Sequence, residues 1–261
     1  MQVREWNFTD SFVELYETAS LKLGKPIRFV TGAWAGCPNC PDGCSDAKPR
    51  EVAVVLDPGW TSRQAQQYAT RAIYHHVITW EGFPTVRLHR SFSAQEAARA
   101  LCYRFNWRVL GLVVDQRTTG LFSEPDFLLT ELFVNTVKYI NVCHEHPHSG
   151  LELSVPALDI FYQYFSLRPR HQKQLAGVVK HKWAQVHRLV WQMIRLSENY
   201  SVMDPDQCAD MLEALIELLK VGEIVQVVRH PQKGERFQHD RRAVEIGLAG
   251  GFPAFAVPTP E

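Results

Sequence analysis

A short segment with three cysteines is the part of the sequence best suited to chemistry. It spans residues 36–49 (GCPNCPDGCSDAKP), where Cys37, Cys40 and Cys44 follow the spacing C-x2-C-x3-C among prolines and glycines. Two cysteines separated by two residues can direct both thiolates at one ion from a single tight turn, and metal binding can order a loop that has no core of its own. The segment therefore predicts a structural zinc site.

Further ligands are needed because structural zinc is four-coordinate. A second segment rich in histidine, 141–150 (NVCHEHPHSG), contains Cys143 and His146, which we select to complete the site. The remaining side chains that could serve as ligands are Cys102, His144, His148, His75 and His76.

Other interpretations of the two segments stay open at this point. The cysteines could hold an iron–sulfur cluster, form a redox-active C-x2-C pair, or simply belong to a reduced turn. The histidines of 141–150 could equally be a solvated loop after a helix. Zinc is preferred because thiols stay reduced in the cytoplasm, where clustered cysteines more often bind metal than form disulfides.

A pair of adjacent histidines suggests a second site. His75 and His76 lie late in a predicted helix that begins at Thr61 or Ser62 and follows the predicted strand 51–57 (EVAVVLD). Over about residues 25–125 this layout resembles the zincin-like metallopeptidase superfamily. The members of that family bind zinc through H-E-x-x-H on such a helix and take an acidic third ligand from a later helix. The resemblance implies a second metal site at His75, His76 and Asp115.

The chain departs from the family in the residues that perform catalysis. It contains no H-E-x-x-H, and no register of the helix places a carboxylate where the general base belongs. Adjacent helical residues point about 100° apart, so His75 and His76 cannot both face one ion. Glu81 could act as a base only if the chain bends sharply after the helix. A plain structural alternative is that these histidines interact with the carbonyl groups at the helix C-terminus.

These observations favour a zinc-binding, degenerate zincin-like protein that is not catalytic and acts as an interaction module. The first alternative is a metal-dependent hydrolase with an atypical ligand set. The second is a DNA-associated regulator with a zinc knuckle, because the order of elements after residue 170 is that of a winged helix. The clearest helix of that region, 205–220, is acidic, which disfavours a nucleic-acid partner.

Composition limits the class of protein. Of 261 residues, 46% are hydrophobic, and 28 Lys and Arg balance 28 Asp and Glu. A net charge of zero argues against binding of nucleic acid or anionic lipid by the whole surface. Because no long apolar run and no signal-peptide core are present, we expect a cytoplasmic protein without a membrane partner, for which a protein partner remains open.

The elements that must position these residues predict a mainly helical α+β fold. A small N-terminal sheet, from 26–30 (PIRFV) and 51–57, carries the cysteine segment, and a C-terminal β-hairpin turns at 231–234. We divide the chain into an α+β region 1–150, a helical region 151–250 and a loose tail 251–261, with one domain as the alternative. The predicted helices span 9–23, 61–80, 93–106, 107–122, 125–143, 156–167, 170–198 and 205–220.

Overall fold

Helices dominate the part of the chain that the computed structural model describes, namely residues 2–3, 6–31, 52–92, 95–118, 127–142 and 150–232. The mainly helical α+β prediction is confirmed. A 3-10 turn at Arg90–Phe92 precedes α3, and a π-helical segment at Phe105–Val109 joins α3 to α4. The helices are α1 (Asp10–Leu23), α2 (Ser62–Trp80), α3 (Glu96–Arg104), α4 (Leu110–Thr118), α5 (Phe127–Val142), α6 (Gly150–Ser166), α7 (Pro169–Lys182), α8 (Ala184–Ser197) and α9 (Pro205–Leu219).

Short strands pair in twos at both ends of the described chain. The predicted N-terminal sheet is confirmed as a parallel pair whose register runs from Ile27 opposite Val52 to Thr31 opposite Leu56. The residues between these two strands include the cysteine segment, which lies outside the described residues. The strands are β1 (Gln2–Val3), β2 (Trp6–Asn7), β3 (Ile27–Thr31), β4 (Val52–Leu56), β5 (Thr85–Leu88) and β6 (Val225–Val228).

The C-terminal strand also forms the antiparallel pair expected of it. Its described partner is β5, with Thr85 opposite Val228 and Leu88 opposite Val225. No strand was predicted at this position, where Gly82 and Pro84 favour a break after α2. The second arm of the predicted hairpin begins beyond residue 232 and lies outside the described residues.

The largest differences from the predicted helix bounds occur at two places. The predicted helix 170–198 is divided at Trp183, which has φ −129° and ψ 62° and is 3% exposed. The apolar periodicity continues across this break, so the sequence pattern does not reveal it. The helix predicted to begin at 156 begins at Gly150 and includes Pro156.

Side-chain caps are present at the starts of α2 and α9. Thr61 and Gln64 form a reciprocal capping box at the start of α2, and the Asp204 carboxylate accepts hydrogen bonds from the first turn of α9. At its C-terminus α9 ends one residue before the predicted bound of 220, because Lys220 itself adopts a left-handed conformation with φ 55°. The amide of the buried Val221 then donates to the carbonyl of Ile216.

One cluster of buried apolar side chains extends through the described chain from Trp6 to Val225. It includes residues of both predicted regions, which also share the β5–β6 pair. α2 lies at its centre and packs against α1, α4 and β4. Among the helices that the structure describes, none combines the length and the apolar character that crossing a bilayer requires.

Asn106 joins the π-helical segment to β5. Its side-chain carbonyl accepts a hydrogen bond from the Val86 amide at 2.8 Å, and its amide donates to the Val86 carbonyl at 2.7 Å and to the Cys102 carbonyl at 3.1 Å. The residue is fully buried. The Asn106 side chain thus forms with Val86 the two hydrogen bonds that a neighbouring strand would form with β5.

We expect Asn106→Ala to lower the free energy of unfolding by about 3 kcal/mol, because it deprives buried polar groups of their partners and leaves a cavity. Urea unfolding measures the change. Asn199→Ala is the control, since the Asn199 side chain makes only exposed hydrogen bonds and its loss should cost less than about 0.5 kcal/mol. Equal losses in the two variants would contradict the structural role of Asn106.

Candidate functional site

Polar side chains are buried along one face of α2. Arg71 and His75 are one helical turn apart and only 4% and 0% exposed. Charged residues are almost never buried to this degree unless they are paired. The partners of these two residues therefore define what this face of the helix can do.

The guanidinium of Arg71 is held from two other helices. It forms an ion pair with Asp115 of α4, and its Nη2 donates to the Tyr162 hydroxyl of α6 at 2.6 Å. The Ser166 hydroxyl donates to the second carboxylate oxygen of Asp115 at 2.8 Å. The carboxylate is thus engaged on both oxygens, and the cluster links α2, α4 and α6.

His75 has a different environment from Arg71. Its ring stacks on Trp107 with 4.3 Å between centroids and 19° between planes, and neither ring nitrogen has a hydrogen-bond partner among the described residues. Burial, followed by the positive charges of Arg71, His76 and Arg108, holds the pKa of His75 well below its usual 6.5. The imidazole is therefore neutral in the folded protein.

The π-helical segment brings Trp107 to this position. An extra residue in a helical turn changes the direction of the side chains that follow it. Trp107 is 6% exposed and also contacts Tyr68 and Tyr103, with ring centroids at 5.9 and 6.1 Å. His75 is consequently enclosed on one side by aromatic rings.

A second ion cluster lies beside the first. Arg104 and Arg108 donate to the two carboxylate oxygens of Asp159 at 3.1 and 2.8 Å. The Arg108 guanidinium also lies over the ring of Tyr162, 5.4 Å from its centroid. Tyr162 therefore contacts Arg71 with its hydroxyl and Arg108 with its ring face.

The end of α2 carries a third ion pair. Glu81 is 2% exposed and accepts a hydrogen bond from Arg117 Nη2 at 2.9 Å. The chain does bend here, since Gly82 has φ 96° and an added Cβ would lie 3.2 Å from the backbone of Gln232. Burial raises the pKa of Tyr74 to about 12, with Arg117 lowering it and Glu81 raising it. The carboxylate of Glu81 is bound to a cation and is not available as a base.

The arrangement does not suit a metal ion at His75, His76 and Asp115. Within the ranges that the structure describes, no three His, Cys, Asp or Glu side chains are grouped so that they could hold one. Asp115 is bonded to Arg71 and Ser166, and the arginines that lower the pKa of His75 would also repel a divalent cation. In the described structure the three residues are therefore not grouped as a metal site.

The first predicted metal site cannot be compared with this geometry, because Cys37, Cys40, Cys44, Cys143 and His146 lie outside the described residues. Cys102, an alternative ligand, is buried in the core, and its thiol donates to the Val86 carbonyl at 3.2 Å. The described cysteines are Cys102 and Cys208, both reduced.

Sequence reasoning missed the residues that dominate this cluster, namely Arg71, Trp107, Tyr162 and Ser166. One signal could have identified Arg71: it lies four residues before His75, on the face of α2 that also carries the apolar stripe. An arginine on such a stripe predicts a buried partner. No local signal indicates that the partner is Asp115.

Comparisons with known proteins give no relative. No protein-family model matches the chain, and searches of curated proteins and of solved structures find no match. The function must therefore be argued from the residues themselves.

We expect Asp115→Leu to lower the free energy of unfolding by about 3–5 kcal/mol, because it leaves the Arg71 charge buried without compensation. The double variant Arg71→Met/Asp115→Leu should regain much of this loss, since both charges are then absent. Urea unfolding of the two variants measures the effect. Asp206→Leu removes an acid that is 94% exposed beside Arg229 and should cost less than about 1 kcal/mol. A double variant no more stable than Asp115→Leu would contradict this account.

The protonation of His75 predicts how stability depends on pH. Its pKa is lower in the folded protein than in the unfolded chain, so the unfolded state binds more protons below pH about 6.5. Stability should be unaffected by this group above that pH and should fall as the pH decreases below it. His75→Phe should remove this part of the decrease, measured as urea midpoints across pH 5–8. The exposed-histidine control His181→Gln should keep it, and an unchanged pH profile in His75→Phe would contradict the assignment.

Proposed function

We propose that this protein is a non-catalytic, zinc-binding interaction protein. Its zinc is held by the cysteine segment, and its helical body presents a binding surface. The observation that carries the non-catalytic part is the ion pair between Arg71 and Asp115, which occupies the place on α2 where the zincin-like layout calls for a metal.

The carboxylates around α2 support this proposal. Hydrolysis by a zinc enzyme requires an open coordination position and a free general base close to the metal-bound water. Asp115 is engaged by Arg71 and Ser166, and Glu81 by Arg117. Both acidic groups that the sequence offered for catalysis therefore have structural partners.

The zinc part of the proposal is supported by the sequence alone. Cys37, Cys40 and Cys44 provide three thiolates, and Cys143 or His146 offers the fourth ligand. A zinc ion would order such a segment without requiring an apolar core of its own.

Metal analysis of the purified protein tests the proposal. We expect one zinc per chain, with a sulfur-rich tetrahedral signature in X-ray absorption. Cys37→Ser should lose the metal, whereas Ser45→Ala, a change in the same segment that removes no ligand, should keep it. A metal-free protein in which all six thiols titrate freely under native conditions would contradict the zinc assignment.

The same preparations decide whether the protein is catalytic. Wild type incubated with zinc and a broad peptide library should cleave nothing. Asp115→Asn keeps the shape of the side chain but leaves the Arg71 charge without its partner, so circular dichroism must show that it is folded before it serves as the comparison. Cleavage by wild type that this variant abolishes would replace the proposal with the metal-dependent hydrolase.

A further inference from the structure

A long stretch of the chain contains cations but no acids. Between Asp159 and Glu198 there are seven Lys and Arg residues and no Asp or Glu, although the whole chain has 28 of each kind. This stretch forms the end of α6, then α7 and α8. Positive charge is thus concentrated in this stretch, whereas the acidic residues lie elsewhere in the chain.

The cations of α7 share one solvent-exposed face. At about 100° per residue, Arg170, Lys173, Gly177 and Lys180 fall within an arc of about 80°, and all four are exposed. We call these four residues the α7 basic face. The apolar side of the helix, with Leu175 and Val179 each 1% exposed, packs against neighbouring helices. None of the three cations makes an ion pair in the part of the chain that the structure describes.

Two features of this face work against the stability of its own helix. Gly177 lies in the helix interior, where glycine is the least favourable residue except proline, yet an added Cβ would meet nothing within 4 Å. Arg170 is in the first turn, which has no acidic residue, although the helix dipole favours acids there. Packing within the chain explains neither choice, whereas a polyanion lying along the helix would explain both.

We propose that the α7 basic face binds the sugar-phosphate backbone of a nucleic-acid duplex. From Arg170 to Lys180 the face is about 15 Å long. A duplex carries one negative charge per about 1.7 Å of its axis, so several phosphates lie within reach of the three cations. Gly177, between Lys173 and Lys180, lets the backbone approach the helix closely.

The chemistry of the face favours a duplex over other polyanions. Insertion into an anionic membrane needs an exposed apolar side, and the apolar residues of α7 are buried. The core of a protein interface is depleted of charge and enriched in aromatic residues. Single strands bind through stacking on aromatic side chains, and α7 contains no Phe, Tyr or Trp.

A nucleic-acid duplex would contact α7 and not the acidic helix α9. The acidic residues of α9 disfavour contact with that helix, and its Asp210 and Glu213 already bind Arg229 at 2.6 and 3.1 Å. The basic face belongs to α7 instead. The inference deepens the interaction role proposed above, but it does not depend on zinc, so Cys37→Ser should retain duplex binding even where it loses metal.

Fluorescence anisotropy with a labelled DNA duplex tests the proposal over about 50 to 200 mM salt. We expect log K to fall linearly with log salt for wild type. Lys173→Gln/Lys180→Gln should reduce the slope by about 2, one for each lost phosphate contact. Arg99→Gln/Lys220→Gln removes the same charge from exposed positions outside α7 and should leave the slope unchanged.

Gly177→Ala supplies a second variant without any change in charge. It should raise the urea midpoint, because alanine favours the helix, while weakening duplex binding severalfold through the added Cβ. A variant that is stabilised but binds as wild type does would overturn the role of close approach at Gly177.

Competing ligands separate a duplex from other polyanions. A DNA duplex and an RNA duplex of the same sequence both support the proposal, and the tighter of the two identifies the source. Preference for the single strand, for poly-glutamate or for phosphatidylserine vesicles would overturn it. Equal salt slopes in the Lys173/Lys180 and Arg99/Lys220 variants, or no duplex binding at about 50 mM salt, would overturn it as well.

Discussion

The buried ion pair between Arg71 and Asp115 is the interaction on which the centre of this protein depends. Moving two charges out of water costs several kcal/mol for each ion, so the pair is tolerated only when further hydrogen bonds complete it. Tyr162 and Ser166 provide those bonds from α6. The positions of α2, α4 and α6 relative to one another are therefore set by polar geometry as well as by apolar packing.

Arg71 also contributes to the electrostatic environment of His75. Burial, followed by the positive charges of Arg71, His76 and Arg108, lowers the pKa of His75 and keeps its imidazole neutral. Such a site disfavours a second cation, whether a proton or a metal ion. The metal proposal therefore rests on the cysteine segment alone.

Charge is distributed unevenly on the outside of the molecule. α9 is acidic, and three of its carboxylates lie around Arg229 of the segment after β6, with the closest at 2.6 Å. The cations of α7 have no comparable partners in the described chain. The net charge of zero is therefore a sum over oppositely charged helices. Acidic side chains of α9 are neutralised by Arg229, whereas the cations of α7 remain available to bind an anion in the described part of the chain.

The sequence by itself determined the features that depend on near neighbours. Apolar periodicity placed most of the helices, Thr61 or Ser62 marked where α2 begins, and the apolar runs 26–30 and 51–57 identified β3 and β4. These signals are local because capping and amphipathicity involve residues within one or two turns. The absence of a carboxylate at the base position of α2 was also readable from the sequence alone.

Only the tertiary structure decided which distant residues meet. Arg71 and Tyr162 are 91 positions apart, and the paired residues of β5 and β6 are still further apart in the chain. The division of a predicted helix at the buried Trp183 is likewise not encoded in the periodicity. An aspartate such as Asp115 looks the same in a sequence whether it binds a metal or an arginine, because that choice is made by the charge that folding brings beside it.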